Sequence, residues 1–245
     1  MCKIISWPSR QRALYIMEAF QAINGFEGVI GCIDGSHIRI LPPREYPNSY
    51  CNRKNFHSVL LQGVCDNRKL FTHVYVGEPG SMHDSRLFEK SDLFSDIQRG
   101  AVTFPNNSHL LGDLAYKLTE FLIVGFKDNG FLTNRQKIFN LKLSQIRVHI
   151  ENTFALLKGR FRRLKYMETI RLDLICLLIM ASCILHNMCI LNGDKPDDIM
   201  NIRQELEEEL QQINSNDLEN IIRGNAHAVA KRERIMNTLQ VAENV

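Results

Sequence analysis

The sequence predicts an α/β fold: a ribonuclease-H-like mixed sheet flanked by helices, with additional C-terminal helices. Three observations carry this. Three extended segments come first, at 28–41, 56–65 and 70–78, the last two joined by the turn residues Asp66, Asn67, Arg68 and Lys69. A helical segment at 85–98 and a short strand at 109–112 follow. A long helical region then runs from Leu132 to Leu164. Three antiparallel strands followed by a βαβ-like unit is the order of that fold, although other α/β architectures share it.

Each element has a local reason. Residues 10–24 carry Ala13, Ile16, Met17 and Phe20 at helical spacing. GVIGCIDGSHIRI (28–40) reads as a buried strand up to Ile33, with Asp34-Gly35 as a bend or bulge before Ile38 and Ile40. PPREYPNSYCNRKN reads as a polar loop, and GEPGSMHDS as a loop that ends in a helix N-terminus. HLLG (109–112) ends at Asp113, and the stretch from there to about Gly130 shows no regular pattern. Ile146, Ile150, Phe154, Leu157, Phe161 and Leu164 recur every three or four residues and form one apolar helix stripe. LDLICLLIMASCILHNMCIL (172–191) approaches membrane length, but Asp173, His186 and Asn187 interrupt it, which favours a buried core helix. Residues 194–220 read as a charged linker or surface helix, and 223–240 as a last basic helix.

Composition narrows the function classes. The 245 residues are 44% hydrophobic and 23% charged, enough for a sizeable core without a disulfide scaffold. The net charge of +3 does not by itself imply nucleic acid, but its distribution does more. Between Phe131 and Arg171 ten Lys/Arg face two acids, whereas nine acids crowd the stretch from Asp194 to Glu219. The basic segment suits an anionic partner. The seven cysteines include no CxxC pair and read as thiols in a reducing compartment. The N-terminus has no apolar h-region, so no signal peptide is expected. Cys183, His186 and Cys189 share one side of a helix, yet no second Cys/His pair completes a zinc site.

Four acids stand out by context: Asp34 in the first strand, Asp84 after the third, Asp113 after the fourth, and Glu151 on the long helix. A buried ionised Asp in a strand is costly without a cation or a hydrogen-bond network. Asp34 and Asp113 fall on neighbouring strands of the expected sheet. At about 100° per residue, Glu151 borders the apolar stripe beside Arg147, Ala155, Lys158 and Arg162. Several carboxylates brought together suit a hard divalent cation, Mg²⁺ or Mn²⁺, and two such ions hydrolyse phosphodiesters. The basic residues Arg147, Lys158, Arg160, Arg162 and Arg163, with Arg53 and Lys54 of NRKNFHS, would hold the phosphate backbone. Plainer roles stand beside these. Asp34 and Asp113 suit local caps or bends, Asp84 suits a helix N-cap, and Glu151 suits an ion pair with Arg147. His83 and His149 flank Asp84 and Glu151 as second-sphere or packing residues.

The segments GVIGCIDGSHIRI, YCNRKNFHSVLLQGVCD, GEPGSMHDSRLF, LLGDLAY, FKDNGFLTNRQKIFN, LSQIRVHIENTFALLKGRFRRL and ILHNMCI run in order over about residues 23–192. Together they resemble the catalytic domain of PIF/Harbinger-type transposases and the Harbinger transposase-derived nucleases of the DDE endonuclease superfamily. The resemblance implies a divalent-metal-dependent DNA endonuclease with Asp34, Asp113 and Glu151 as catalytic acids and Asp84 joining the metal site. It divides the chain into an N-terminal helical remnant (1–25), a catalytic domain (26–192) and a charged C-terminal helical tail (193–245). It implies DNA as partner, a Myb/SANT-like protein that supplies target recognition, no membrane, and nuclear residence with a cytoplasmic pool also open. A homo-oligomer is compatible. GDLAYK and FALLK depart from the usual GDSGYP or GDAAYP and FGxLK, next to Asp113 and Glu151. The alternative is therefore a domesticated, inactive DNA- or protein-binding module on the same fold.

Overall fold

The computed structural model describes residues 4–194 and 225–241. Its strands are β1 (Val29–Ile40), β2 (Ser58–Cys65), β3 (Phe71–Pro79), β4 (His109–Leu111), β5 (Leu122–Ile123) and β6 (Tyr166–Met167). They form one mixed sheet in the order β3-β2-β1-β4-β5, with β6 pairing the far end of β1. β1, β2 and β3 are antiparallel neighbours. β4 and β6 run parallel to β1, and β5 runs parallel to β4. This is the ribonuclease-H-like arrangement expected from the element order.

The helices are α1 (Arg10–Asn24), α2 (Pro47–Tyr50), α3 (Asp84–Lys90), α4 (Asp92–Gln98), α5 (Asn134–Arg160), α6 (Leu172–Leu191) and α7 (Ala226–Val241). The predicted 85–98 helix is two helices. Ser91 breaks it in extended conformation and caps α4 by accepting from the Phe94 amide. The predicted bend at Asp34-Gly35 is absent, because β1 runs through both residues in unbroken register with β2. The 42–55 loop contains the short α2. β5 and β6 have only two residues each, too few for any periodic signal.

β2 is buried along its whole length, so the sheet is covered on both faces there. α5 starts at a capping box, Thr133 and Gln136 bonding each other's backbone amides. It buries Ile146, Ile150, Phe154 and Leu157 of the expected stripe against the sheet. The charged 194–220 stretch falls almost wholly outside the described residues. α7 follows it and returns to the domain, where Arg232 lies 4.0 Å over the Phe126 ring.

α6 was expected in the core, but only one stripe of it is buried: Ile175, Ile179, Cys183, His186 and Asn187. Leu177, Leu185 and Met188 face outward, Leu177 at 67% exposure. By length and composition the helix passes for a membrane span. Its polar residues show how it is used here. β3 is an edge strand, and α6 covers that edge. Asn187 Oδ1 accepts from the Phe71 amide at 2.8 Å and Nδ2 donates to the Phe71 carbonyl at 2.7 Å, replacing a neighbouring strand. His186 links the Lys69 carbonyl to Arg160, so both its ring nitrogens are engaged and the zinc geometry is not built. Replacing Asn187 with Ala leaves two buried backbone groups without partners. We expect a loss of roughly 2–4 kcal/mol, read by urea unfolding.

Candidate active site

The outer edge of β1 is shared by two short strands. β4 pairs Val29 to Cys32, and β6 pairs Arg39 and Ile40. Between them, Ile33 to Ile38 have no described strand on that edge and pair only with β2 on the other, and this interval holds Asp34. Parallel pairing sets Cys32 opposite Leu111. Asp34 and Asp113 each lie two residues beyond that pair, so register alone brings them side by side. Asp113 Oδ1 accepts from the Ala115 amide at 2.9 Å, which bends the chain away as β4 ends.

Asp34 points toward α5. Its Oδ1 takes the Gly35 amide at 2.8 Å and its Oδ2 takes Arg147 Nη2 at 3.2 Å. Both side chains of this pair are under one-fifth exposed. Arg147 therefore turns inward, where the sequence placed it on the phosphate-binding face. Its Nε is buried without a partner.

Asp84 reaches the site from the opposite face of β1. It is the first residue of α3, and His83 is the N-cap, with no side-chain capping bond. The helix-cap role for Asp84 is thus not what the structure displays. Its carboxylate lies over Gly35, so close that a Cβ there would stand 2.2 Å from Oδ1. Arg53 flanks the same corner by donating to the His83 ring at 2.7 Å.

Charge and burial set the protonation of these acids. Burial lifts Asp34 to about 7; Arg147 pulls it down, while Asp113 and Asp84 push it further up. Burial lifts Asp84 to about 6, Asp113 adds to the rise, and Arg53 and Arg147 oppose it. Tyr116, three residues after Asp113, is buried, and its hydroxyl has no partner. Burial and then the charges of Asp84, Asp34 and Asp113 raise its phenol, so it stays a donor beside the acids. Gln62 stands opposite Gly35 in register, on the face that Asp84 covers, and its amide is buried without partners as well.

Glu151 is placed by the register of α5 along β1. Cys32 Sγ meets the Ile146 carbonyl, Arg147 meets Asp34, and Lys158 Nζ donates to the His37 carbonyl at 3.0 Å. α5 therefore runs alongside β1 in the same direction. Glu151, one turn beyond Arg147, lies level with that interval of β1, and its charge is felt at Cys32 together with that of Asp34. It is exposed.

The other basic candidates divide. Arg162 and Arg163 are exposed on the turn after α5, and Lys54 is exposed on the loop beside Arg53. Arg160 instead joins α5 to α6 through His186 and an ion pair with Asp194 at 3.0 Å. His149 packs edge-to-face on Phe20 and bonds the Ile146 carbonyl, a packing role.

The sequence reading missed Tyr116, Gln62 and the inward role of Arg147. Among the described residues no three His, Cys, Asp or Glu side chains converge at ligating distance. The donor set nevertheless fits a hard cation. Asp34, Asp84 and Asp113 offer oxygen donors, burial raises Asp34 and Asp84 above the ordinary carboxylate range, and buried polar atoms of Gln62, Tyr116 and Arg147 lack partners.

The chain resembles known proteins over most of its length. The family described as DDE superfamily endonuclease matches residues 33–187. The chain is similar to the protein named "Putative nuclease HARBI1" in several vertebrates. It is 30% identical to the Bos taurus protein over 227 residues, 89% of this chain and 63% of that one. Figures for Homo sapiens are 30% over 224 residues, 89% and 63%. For Rattus norvegicus they are 31% over 195 residues, 78% and 54%. The chain thus spans 54% to 63% of the length of these relatives. No solved structure matches it.

Proposed function

The chain belongs to the DDE superfamily endonuclease family, and from that premise we propose that it is a divalent-metal-dependent DNA endonuclease whose catalytic acids are Asp34, Asp113 and Glu151. One observation supports this reading: the charges of Asp84 and Asp113 act on Asp34, and that of Glu151 acts with Asp34 on Cys32, around the interval of β1 that is paired by β2 on one edge only. Asp34, Asp84, Asp113 and Glu151 would hold Mg²⁺ or Mn²⁺. When bound, the metal supplies an activated water and neutralises the leaving oxygen of the phosphodiester. The chain's own residues do the rest. Arg147 balances the Asp34 charge from beneath. Tyr116, buried beside the acids with its hydroxyl unpartnered, stays protonated and would supply a donor there. Arg53, Lys54, Lys158, Arg162 and Arg163 draw the phosphate backbone to the β1 edge. No protein nucleophile is required.

The same reading places its work on DNA in the nucleus, with a Myb/SANT-like protein for target choice. A homo-oligomer fits it as well, because Leu174, Leu178, Leu185 and Met188 all lie on the exposed side of α6.

The test is plasmid nicking in Mn²⁺. We expect Asp113→Asn and Glu151→Gln each to lower the rate by about 10³-fold or more, with folding intact. Thermal unfolding in Mn²⁺ should show a midpoint rise in the parent that both variants lose. A parent that binds DNA and does not nick would establish the inactive binder instead. Variants that nick like the parent would remove these acids from the mechanism.

A further inference from the structure

A cavity of about 460 Å³ opens against the turn that follows Asp113. Its near wall is the turn that follows Asp113, through Leu114 and Tyr116. Its far wall is Phe126, Phe131 and Arg232 of α7. The volume falls within the roughly 300–1,000 Å³ of small-ligand sites.

Its walls are apolar, flat and cationic at once. Phe131 is 86% exposed, the most exposed large apolar side chain described. It is not a loose end. Asp128 Oδ1 accepts from Gly130, Asn129 Oδ1 from Phe131, and the capping box of α5 begins two residues later. The chain thus holds the Phe131 backbone at the cavity mouth and leaves the ring exposed there. Arg232 is equally fixed. Its guanidinium lies 4.0 Å from the Phe126 centroid and donates to the Gly125 carbonyl, while its Nε is buried without a partner. Lys127 stands exposed beside it.

An aromatic platform, a stacked cation and a second cation at the rim match one chemistry: a planar heterocycle that carries a phosphate. Two of its lining residues, Leu114 and Tyr116, follow Asp113 in the chain, and the charges of Asp34, Asp84 and Asp113 act on Tyr116. A base belonging to a strand whose phosphate sits at the acids reaches it only by leaving the helical stack. We propose that this cavity receives one unstacked nucleobase of the DNA strand, held on Phe131, with Arg232 and Lys127 on its phosphate side. The inference rests on the endonuclease reading, since it needs DNA at the acids.

The test compares two 30-base-pair duplexes, one fully paired and one carrying a single unpaired 2-aminopurine, without added metal. The parent should bind the bulged duplex about tenfold more tightly, and 2-aminopurine fluorescence should quench as the base stacks. Phe131→Ala should abolish both the preference and the quench, and leave paired-duplex binding and the Mn²⁺-dependent midpoint rise unchanged. Arg232→Gln should weaken the preference in part. Equal affinity for the two duplexes, a preference that survives Phe131→Ala, or no DNA binding at all would overturn the proposal. Nicking in Mn²⁺ separates the two ideas. Nicking without a bulge preference sinks the cavity alone, and a Phe131-dependent preference without nicking sinks the endonuclease alone.

Discussion

Asp34→Asn is expected to stabilise the metal-free protein at pH 8 by roughly 2–4 kcal/mol relative to its effect at pH 4. The folded Asp34 titrates at about 7 against an ordinary value of 3.8, chiefly through burial. Below about pH 4 the group is protonated folded and unfolded, and contributes no pH dependence. Between these values the folded protein keeps a proton that the unfolded chain has released. The folded state then binds more protons, so the parent loses stability as pH rises, and the loss is complete above 7. The Asn side chain never ionises and is spared that loss. Part of the gain is offset because Arg147 loses its 3.2 Å partner.

The raw pH curve of the parent mixes opposing groups. Asp84, lifted to about 6, acts in the same direction as Asp34. His37 and His186 act in the opposite one, since burial lowers both to about 4 and their neutral forms favour folding as pH climbs toward 6.5. The difference between parent and variant removes these shared terms. Urea unfolding in chelator from pH 4.5 to 8 supplies it. A flat difference would mean that Arg147 keeps Asp34 ionised throughout, as an ordinary ion pair. Added Mn²⁺ should reverse the order at pH 8, because only the ionised carboxylate attracts the cation and only the parent has one.

Much of this site was legible before the fold. Asp34 and Asp113 each follow a short apolar run, and parallel pairing converts that into adjacency without any side-chain detail. The stripe from Ile146 to Leu157 is periodic over three turns, so the buried face of α5 and the position of Glu151 beside it could be read directly. What stayed hidden depends on contacts between distant segments. Arg147 looked like one more member of a basic row, because helix geometry gives its angle but not what the sheet presents there. Asp84 resembled a cap, since a short helix start looks the same whether its carboxylate bonds its own backbone or lies over a strand. Gly35 read as a bend because Asp-Gly is a turn dipeptide. Only the packing of α3 on β1 shows why the position lacks a side chain. α6 was misjudged for a related reason. Hydropathy reports that a helix is apolar, and does not say how much of its circumference finds a partner.

Gly35→Ala is therefore expected to disable the site and largely spare the fold. The backbone has no objection to the change. Gly35 is not among the positive-φ residues, and Ala loses less entropy than Gly in a strand. The obstacle is Asp84 alone. The new Cβ would lie 2.2 Å from Oδ1 and 3.2 Å from Cγ, and the next neighbour, Leu87 Cδ2, is at an ordinary 3.8 Å. A carboxylate can move where a backbone atom cannot, so strain is relieved by pushing Asp84 off β1. A shift of about 1 Å in a reacting group costs on the order of 10²-fold in rate. Nicking should fall by about that factor and the Mn²⁺-dependent midpoint rise should shrink, with stability changed by roughly 1–2 kcal/mol. The double variant Gly35→Ala with Asp84→Ala separates cause from damage. Removing the carboxylate removes the clash, so the double variant should be as stable as Asp84→Ala and no less active. If Gly35→Ala nicks at the parent rate, Asp84 takes no part in the site. If the double variant is far less active than Asp84→Ala, the methyl group acts on something other than Asp84.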